Sequence, residues 1–356
     1  MRLLITGAGG FLGRYVVAEA VAHGHRVRAL LRPAARTFPP AWEGNPRVQV
    51  VCGDLRDAKG VAALLEGVDG VIHLAASKSG DLYEQFGGTV IATENLLSAM
   101  VDAALSRIVV TSSFSVYEYL ALPQWSVLDE STSLAADPLV RDEYCQTKLV
   151  QERIVLECAD AHDWRCVVLR PGVIYGRDNL WTARLGMQVN DRWWIRTGAS
   201  APLPLTYVEN CAEAIVLATE YEGPQRRLVL NVVDNETPTQ REYLNALRNQ
   251  VTPRPRIVPV AWGVMRVLAR LAWLTNWVCF KGTAKVPGLF VPSRLHARCK
   301  PLRYTNQKIV SLLGWQPRYS WQEGIQRSLS PLDAADFPLA DQAQPGAQAL
   351  LVEQVQ

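Results

Sequence analysis

Ser113, Tyr144 and Lys148 have the types and spacing to move a proton. Tyr144 and Lys148 are four residues apart, so on a helix they share a face. A free phenol titrates near ~10, and acid–base work near neutrality asks for about 4 kcal/mol of help to its ionised form. A neighbouring ammonium and a nicotinamide cation would supply that help by favouring phenolate. Ser113 would then orient a substrate oxygen by hydrogen bond. Tyr144 would exchange its proton as hydride moves to or from the nicotinamide, and Lys148 would also reach the nicotinamide ribose. The spacing alone is cheap. The chain has a second Tyr-x-x-x-Lys pair, Tyr304 and Lys308, with no serine-bearing strand before it, and that pair reads as a surface helix pair. The same bland reading for Tyr144 is opposed by the order in which the pieces come: glycine loop, serine strand, Tyr/Lys helix.

The glycine loop is Thr6-Gly7-Ala8-Gly9-Gly10-Phe11-Leu12-Gly13. It follows a short apolar run and opens a helical pattern. Gly7 suits the tight turn, Gly10 the close approach of backbone to a pyrophosphate, and Gly13 the packing of helix on sheet. The anion would sit on amides of the first helical turn, at Phe11 and Leu12, where the helix dipole favours it. On the adenosine side, Leu31 stands where an NAD-preferring site often has a carboxylate, and Arg32 follows with Arg36 nearby. A guanidinium suits a 2′-phosphate, which favours NADP over NAD; otherwise Arg32 is a solvated strand-end charge. Asp54 can accept from the adenine amino group with the Leu55 backbone beside it, while Asp57 reads as a helix cap. Small residues in Leu74-Ala75-Ala76 let a cofactor lie close to the strand ends. His73, just before them, reads as a packed, hydrogen-bonded histidine rather than a catalyst.

These groups need a scaffold with its strand ends on one edge. Arg2–Thr6, Arg26–Leu31, Val48–Val51, Gly70–Ala75 and Arg107–Ser112 read as strands buried on both faces, being apolar with little alternation. Helical patterns at Phe11–His23, Lys59–Glu66 and Thr89–Ala104 separate them. A helix near Asp142–Asp160 and a strand near Arg165–Leu169 continue the alternation. The fold class expected is α/β, a Rossmann doubly wound parallel sheet with a smaller C-terminal substrate-binding part. The nucleotide-binding domain should cover 1–175 and the interwoven substrate part 176–331. In the latter, helices are expected at Val208–Tyr221, Thr239–Gln250, Val260–Cys279 and Asn306–Leu313, with a strand at Leu228–Val233. Residues 332–356, rich in Ala, Gln and Pro, read as a weakly structured tail, with a short helical turn at Ala347–Val352 as the one exception.

Composition excludes several classes. Apolar residues make up 49% and charged residues 20%, as in globular proteins, and the formal net charge of +3 is too small to argue for nucleic acid. The 7 cysteines are scattered with no Cys-x-x-Cys pair, which argues against a disulfide framework or a metal site and suits the cytoplasm. The short N-terminal apolar run is no signal peptide, and no spanning segment is evident.

Taken together, the motifs resemble the extended short-chain dehydrogenase/reductase superfamily, in its epimerase/dehydratase-like branch. The resemblance also rests on Gly53-Asp54-Leu55, Arg170-Pro171-Gly172-Val173-Ile174-Tyr175-Gly176, Tyr207-Val208-Glu209-Asn210 and Leu313-Gly314-Trp315-Gln316-Pro317. It implies the roles given above for Ser113, Tyr144 and Lys148. It also implies that the backbone at Pro171 and Val173 flanks the nicotinamide, and that the protein is a homodimer. Three departures narrow the substrate. Thr89 stands where the family often has Asn. Phe114 and Ser115 replace the Asp-Glu pair typical of sugar-nucleotide dehydratases. Leu203-Pro204-Leu205-Thr206 lacks the Arg that many nucleotide-sugar enzymes carry.

The helix at Val260–Phe280 is apolar nearly all round. Trp262, Arg266, Arg270, Trp273 and Trp277 fall within a stripe of about 80°. Arg beside Trp suits a peripheral membrane interface or the mouth of an apolar pocket; a core helix with two snorkelling arginines is the plainer alternative. The pattern is similar to that of the 3β-hydroxysteroid dehydrogenase and dihydroflavonol reductase branch. The leading expectation is hydroxyl/ketone interconversion on a small, fairly apolar substrate with NADP (or NAD). The alternatives are a nucleotide-sugar 4-epimerase, for which Arg294, Arg298 and Arg303 could hold a diphosphate, and a non-catalytic cofactor-binding sensor or scaffold.

Overall fold

The computed structural model describes residues 1–33, 38–136, 141–190, 192–198, 200–250, 254–281 and 290–330. Arg36 and the tail beyond 330 lie outside the described residues. The first half runs β1 (Arg2–Thr6), α1 (Phe11–Ala22), β2 (Arg26–Leu31), β3 (Val48–Cys52), α2 (Ala58–Leu64), β4 (Gly70–His73), α3 (Leu82–Phe86), α4 (Ala92–Asp102), β5 (Arg107–Thr111), β6 (Val127–Leu128), α5 (Glu143–Ala161) and β7 (Arg165–Pro171). There follow β8 (Val173–Tyr175), β9 (Met187–Asn190), β10 (Trp193–Thr197), β11 (Leu205–Tyr207), α6 (Val208–Glu220), β12 (Arg227–Val232), α7 (Gln240–Arg248) and β13 (Arg256–Val260). The chain continues with α8 (Trp262–Phe280), α9 (Pro292–Cys299), β14 (Arg303–Tyr304), α10 (Gln307–Leu313) and α11 (Trp321–Leu329).

Seven strands form the central sheet in the order β12-β7-β5-β4-β1-β2-β3, every neighbouring pair parallel. The strand order turns back between β1 and β4, which opens a crevice at their carboxyl ends. Alternation along each strand splits the core into two layers. Leu3 and Ile5 of β1, Ile72 of β4, Val109 of β5 and Leu169 of β7 face the layer shared with α1 and α6. Leu4, Val71, Ile108, Val110 and Val168 face the layer shared with α2, α4 and α5. Both faces are therefore covered, and this is the Rossmann fold expected. The seventh strand, β12, comes from the second half of the chain, so the sheet is finished only after residue 227.

Several elements differ from expectation. Strand β4 ends at His73 rather than Ala75, because the chain there turns under Gly7. The helix expected from Thr89 opens with a wide π turn over residues 87–91 before α4. Strands β8 and β11 pair with each other, and β13, β10 and β9 form a separate three-stranded sheet. Tyr304 and Lys308 are not a surface helix pair. Tyr304 ends β14 and stacks on Phe114 at 5.8 Å, whereas Lys308 lies on α10 and donates to the Val229 carbonyl. The Thr305-Asn306 break separates the two.

A buried polar network joins α5 to the sheet. Glu152 pairs with Arg170 and accepts from the Ser112 hydroxyl at 2.6 Å. Arg170 also donates to the Tyr117 hydroxyl, which donates to Asn231 on β12 at 2.6 Å. Removing one partner of such a pair strands the other charge. Glu152→Ala is expected to cost about 3–5 kcal/mol in urea unfolding; a loss below ~1 kcal/mol would show that the network does not bear on stability.

Candidate active site

The cofactor end is built on close approach. Gly7 has φ 70°, and a Cβ there would lie 3.0 Å from the Ala75 nitrogen. A Cβ on Gly13 would lie 2.1 Å from the Gly7 carbonyl oxygen. Gly10 caps α1 without any side-chain acceptor, so the first-turn amides at Phe11, Leu12 and Gly13 are left for an external anion. The loop and the half-buried Leu74, Ala75 and Ala76 thus fit a dinucleotide pyrophosphate laid across the strand ends. On the adenosine side Arg32 is exposed at the end of β2 and Leu31 is buried. Asp54 is already engaged: its carboxylate takes Arg56 through three side-chain contacts of 2.5–3.0 Å. Those hydrogen bonds, and the more distant Arg32, hold it below the usual carboxylate range. An adenine amino group would have to share it. Leu55 is buried, and its carbonyl accepts from Asn95.

The chemical end lies beyond β5. Lys148 is buried and donates to the Thr111 carbonyl at 2.7 Å and to Gln151 Oε1 at 2.8 Å. Its ammonium sits 6.0 Å from the centre of the Tyr144 ring. Burial, and then Lys78, push it down to about 7, with Glu152 opposing. The Tyr144 phenol is pushed up to about 12 by burial, while a hydrogen bond with Ser113 works the other way. Ser113 Oγ also accepts the Ser115 amide at 3.1 Å, which fixes its rotamer. The structure therefore brings Ser113, Tyr144 and Lys148 together. Gln151 connects them to the glycine loop: its amide donates to Thr93 and approaches the carbonyl of Ala75, against which Gly7 packs.

His73 is fully enclosed, between Thr6 at 2.8 Å and Thr93 at 2.9 Å. Burial, then the Lys148 charge, push it down to about 3, so it stays neutral. Thr89 is buried, and its hydroxyl accepts the Ser77 amide. Phe114 is packed against Tyr117 and Tyr304, and the Ser115 carbonyl takes Arg141 and Cys145. Pro171 is buried at the end of β7. The Val173 amide donates to Pro204 as β8 pairs with β11, which sets the cation-free Leu203–Thr206 segment beside it. Among the described residues no cluster of ligand side chains could hold a metal.

Two groups escaped the sequence reading. The Lys78 charge acts on both Lys148 of α5 and Cys211 of α6. Its only sequence signal is its place just after Leu74-Ala75-Ala76. Arg184 packs over Tyr119 at 5.8 Å and hydrogen-bonds its hydroxyl. Arg298 is influenced by Arg184, Arg294 and Asp142, the last being the cap of α5. These cations come from three separate segments, so no spacing announces them. Arg303 is exposed on β14 and stands apart from this group in the burial pattern.

The fold is that of the extended short-chain dehydrogenase/reductase class. A profile of the NAD dependent epimerase/dehydratase family matches residues 3–232, and the chain belongs to that family. It is 29% identical over 256 residues to a 3 beta-hydroxysteroid dehydrogenase/Delta 5-->4-isomerase of Mycobacterium tuberculosis, covering 68% of this chain and 64% of that protein. The chain thus spans less than two thirds of that relative. It is 28% identical to a 2-alkyl-3-oxoalkanoate reductase of Stenotrophomonas maltophilia, over 92% of this chain and 98% of that one. Among solved structures, a UDP-glucuronic acid 4-epimerase from Bacillus cereus in complex with NAD superposes with a TM-score of 0.68, covering 92% of this chain and 97% of that one at 18% identity. That likeness concerns the fold.

Gly13→Ala is expected to abolish NAD(P)H binding in a fluorescence titration, with the far-UV circular dichroism spectrum retained. Unchanged affinity would mean that the cofactor does not lie on this loop.

Proposed function

We propose that the protein interconverts a hydroxyl and a ketone on a small, fairly apolar substrate, using NADP(H) in preference to NAD(H) and a Ser113-Tyr144-Lys148 centre. The observation that carries the reading is the convergence of these three side chains beside the glycine loop. When bound, the nicotinamide supplies or accepts the hydride. Ser113 holds the reacting oxygen, and Tyr144 gives it a proton during reduction or takes one during oxidation. Lys148 lowers the cost of the phenolate electrostatically and contacts the nicotinamide ribose. Pro171 and Val173 flank the ring, and Arg32 takes the 2′-phosphate. The apolar substrate class is supported by the names of the steroid dehydrogenase and the alkyl-oxoalkanoate reductase, and by the uncharged Leu203–Thr206 segment.

The Arg184–Arg298 group favours an acidic group on the substrate, and it gives one specific point to the second reading, a nucleotide-sugar 4-epimerase. An epimerase returns the hydride and keeps its cofactor, so net production of NADP+ during steady turnover separates the two. A homodimer in the cytoplasm is the form we assign to the enzyme. Free thiols at all seven cysteines suit that compartment.

Tyr144→Phe should lower kcat by at least about 10²-fold with cofactor affinity unchanged; full turnover would remove the phenol from the mechanism. In the oxidation direction activity should rise with pH as the phenol ionises. Lys148→Met should move that limb to higher pH, because the ammonium that favours phenolate is gone. Arg32→Asp should weaken NADPH binding about 10- to 100-fold and leave NADH nearly unaffected. An equal loss for both cofactors would assign Arg32 to the scaffold.

A further inference from the structure

Helix α8 buries very little. Met265, Ala269 and Asn276 face the protein, while Val264, Val267, Leu268, Leu271, Leu274 and Val278 are exposed. At 100° per residue these exposed side chains span an arc of about 120°. One edge of that arc is the stripe of Trp273, Arg266, Trp277 and Arg270, and Trp277 is 69% exposed. A monomer seldom leaves so large an apolar strip open to water without a use for it. No helix among the described residues is long and apolar enough to cross a membrane.

Charge says what covers the strip. Between Glu242 and Glu323 the sequence has no Asp or Glu and thirteen Lys and Arg residues, in a chain whose net charge is only +3. The stretch of chain that exposes the apolar face is therefore strongly basic in sequence. A cavity of about 330 Å³ opens beside the stripe, lined by Arg266, Arg270, His296 and Lys300 with Leu120 and Leu122. Lys300 spends its donors on the carbonyls of Tyr119, Leu120 and Leu122. Buried Arg266 Nε, His296 Nδ1 and Trp262 Nε1 have no partner among the described residues. His296 is pushed down to about 4 by burial and then by Lys300, Arg266 and Arg270, a sign of how crowded with cations the cavity is. Unpaired buried donors beside two arginines ask for an anion.

We propose that α8 is an interfacial helix that seats the protein on an anionic phospholipid bilayer, with one lipid phosphate held by Arg266 and Arg270 in this cavity. The apolar arc enters the acyl boundary, Trp273 and Trp277 lie at headgroup depth, and the arginine-bearing cavity faces the anionic lipids. A second copy of this chain is disfavoured as the occupant, because two such basic surfaces repel.

The test uses the full chain in flotation with vesicles of phosphatidylcholine alone and of phosphatidylcholine with phosphatidylglycerol. Binding is expected to the mixed vesicles, at least tenfold weaker to the neutral ones, with a blue shift of tryptophan emission. Leu271→Glu with Leu274→Glu should abolish binding while turnover in detergent-free buffer is kept. Arg266→Gln and Arg270→Gln should each weaken binding about fivefold, with inorganic phosphate unable to compete at equal concentration. Three results would overturn the proposal: no flotation with anionic vesicles; flotation indifferent to the Leu271/Leu274 change; or a concentration-dependent oligomer that this change dissolves, which would make the face a contact between copies.

Discussion

A buried ammonium at Lys148 constrains everything around it. Taking a charge out of water is costly unless its hydrogen bonds are met. Here they are met by a strand-end carbonyl, Thr111, and by Gln151 one turn along the same helix. Gln151 can serve only if its amide is itself held, and Thr93 holds it. Thr93 in turn meets His73, and His73 meets Thr6 at the end of β1. A line of polar side chains therefore runs under the crevice, through a core whose strands are otherwise apolar. Each member is satisfied by the next, which is the condition for such a line to stabilise a unique arrangement.

The same constraint sets the electrostatics of the reacting pair. In the protein by itself, burial works against both charges that the chemistry needs. The ammonium is pushed down to about 7 and the phenol up to about 12. Lys78 makes matters worse for Lys148 by adding a second cation to the crevice. On the proposed reading, a dinucleotide with its phosphates on the open amides of α1 would add negative charge to the crevice.

How much of this could be read from the chain follows from how local each feature is. The glycine loop is legible because close backbone approaches at Gly7 and Gly13, six residues apart, leave no room for a Cβ. The two-sided strands are legible because period-two burial into two layers leaves an unbroken apolar run. Tyr144 and Lys148 are legible because four residues is one helical turn. In the second half the helices α6, α7, α8 and α10 and strand β12 are legible in the same way, whereas β8, β11 and β14 are not, since they are two or three residues long and gain their partners from distant segments. Tyr304 shows the cost: its spacing to Lys308 mimicked a helix pair, and only the pairing of β14 with β6 sets it on Phe114. Lys78 and Arg184 were unreadable for the same reason, because what gives them meaning lies across the fold.

The division also explains where specificity must reside. Tyr144 and Lys148 hang from the long helix α5, and Ser113 follows the fully paired strand β5 by two residues. On the proposed reading, the walls of the substrate side come instead from short strands and single turns, with cations such as Arg184 and, on α9, Arg298. Phe114 illustrates the boundary. It follows Ser113 directly, yet its ring belongs to the cluster with Tyr117, Tyr119 and Leu302 from the C-terminal part. A carboxylic acid at that position would be buried among apolar rings with no partner, at a cost of several kcal/mol. Elimination chemistry is thereby disfavoured by packing as well as by the missing functional group. On the proposed reading, the chemistry left at Ser113 is a proton and a hydride exchanged with a carbonyl, on a substrate chosen by the irregular half.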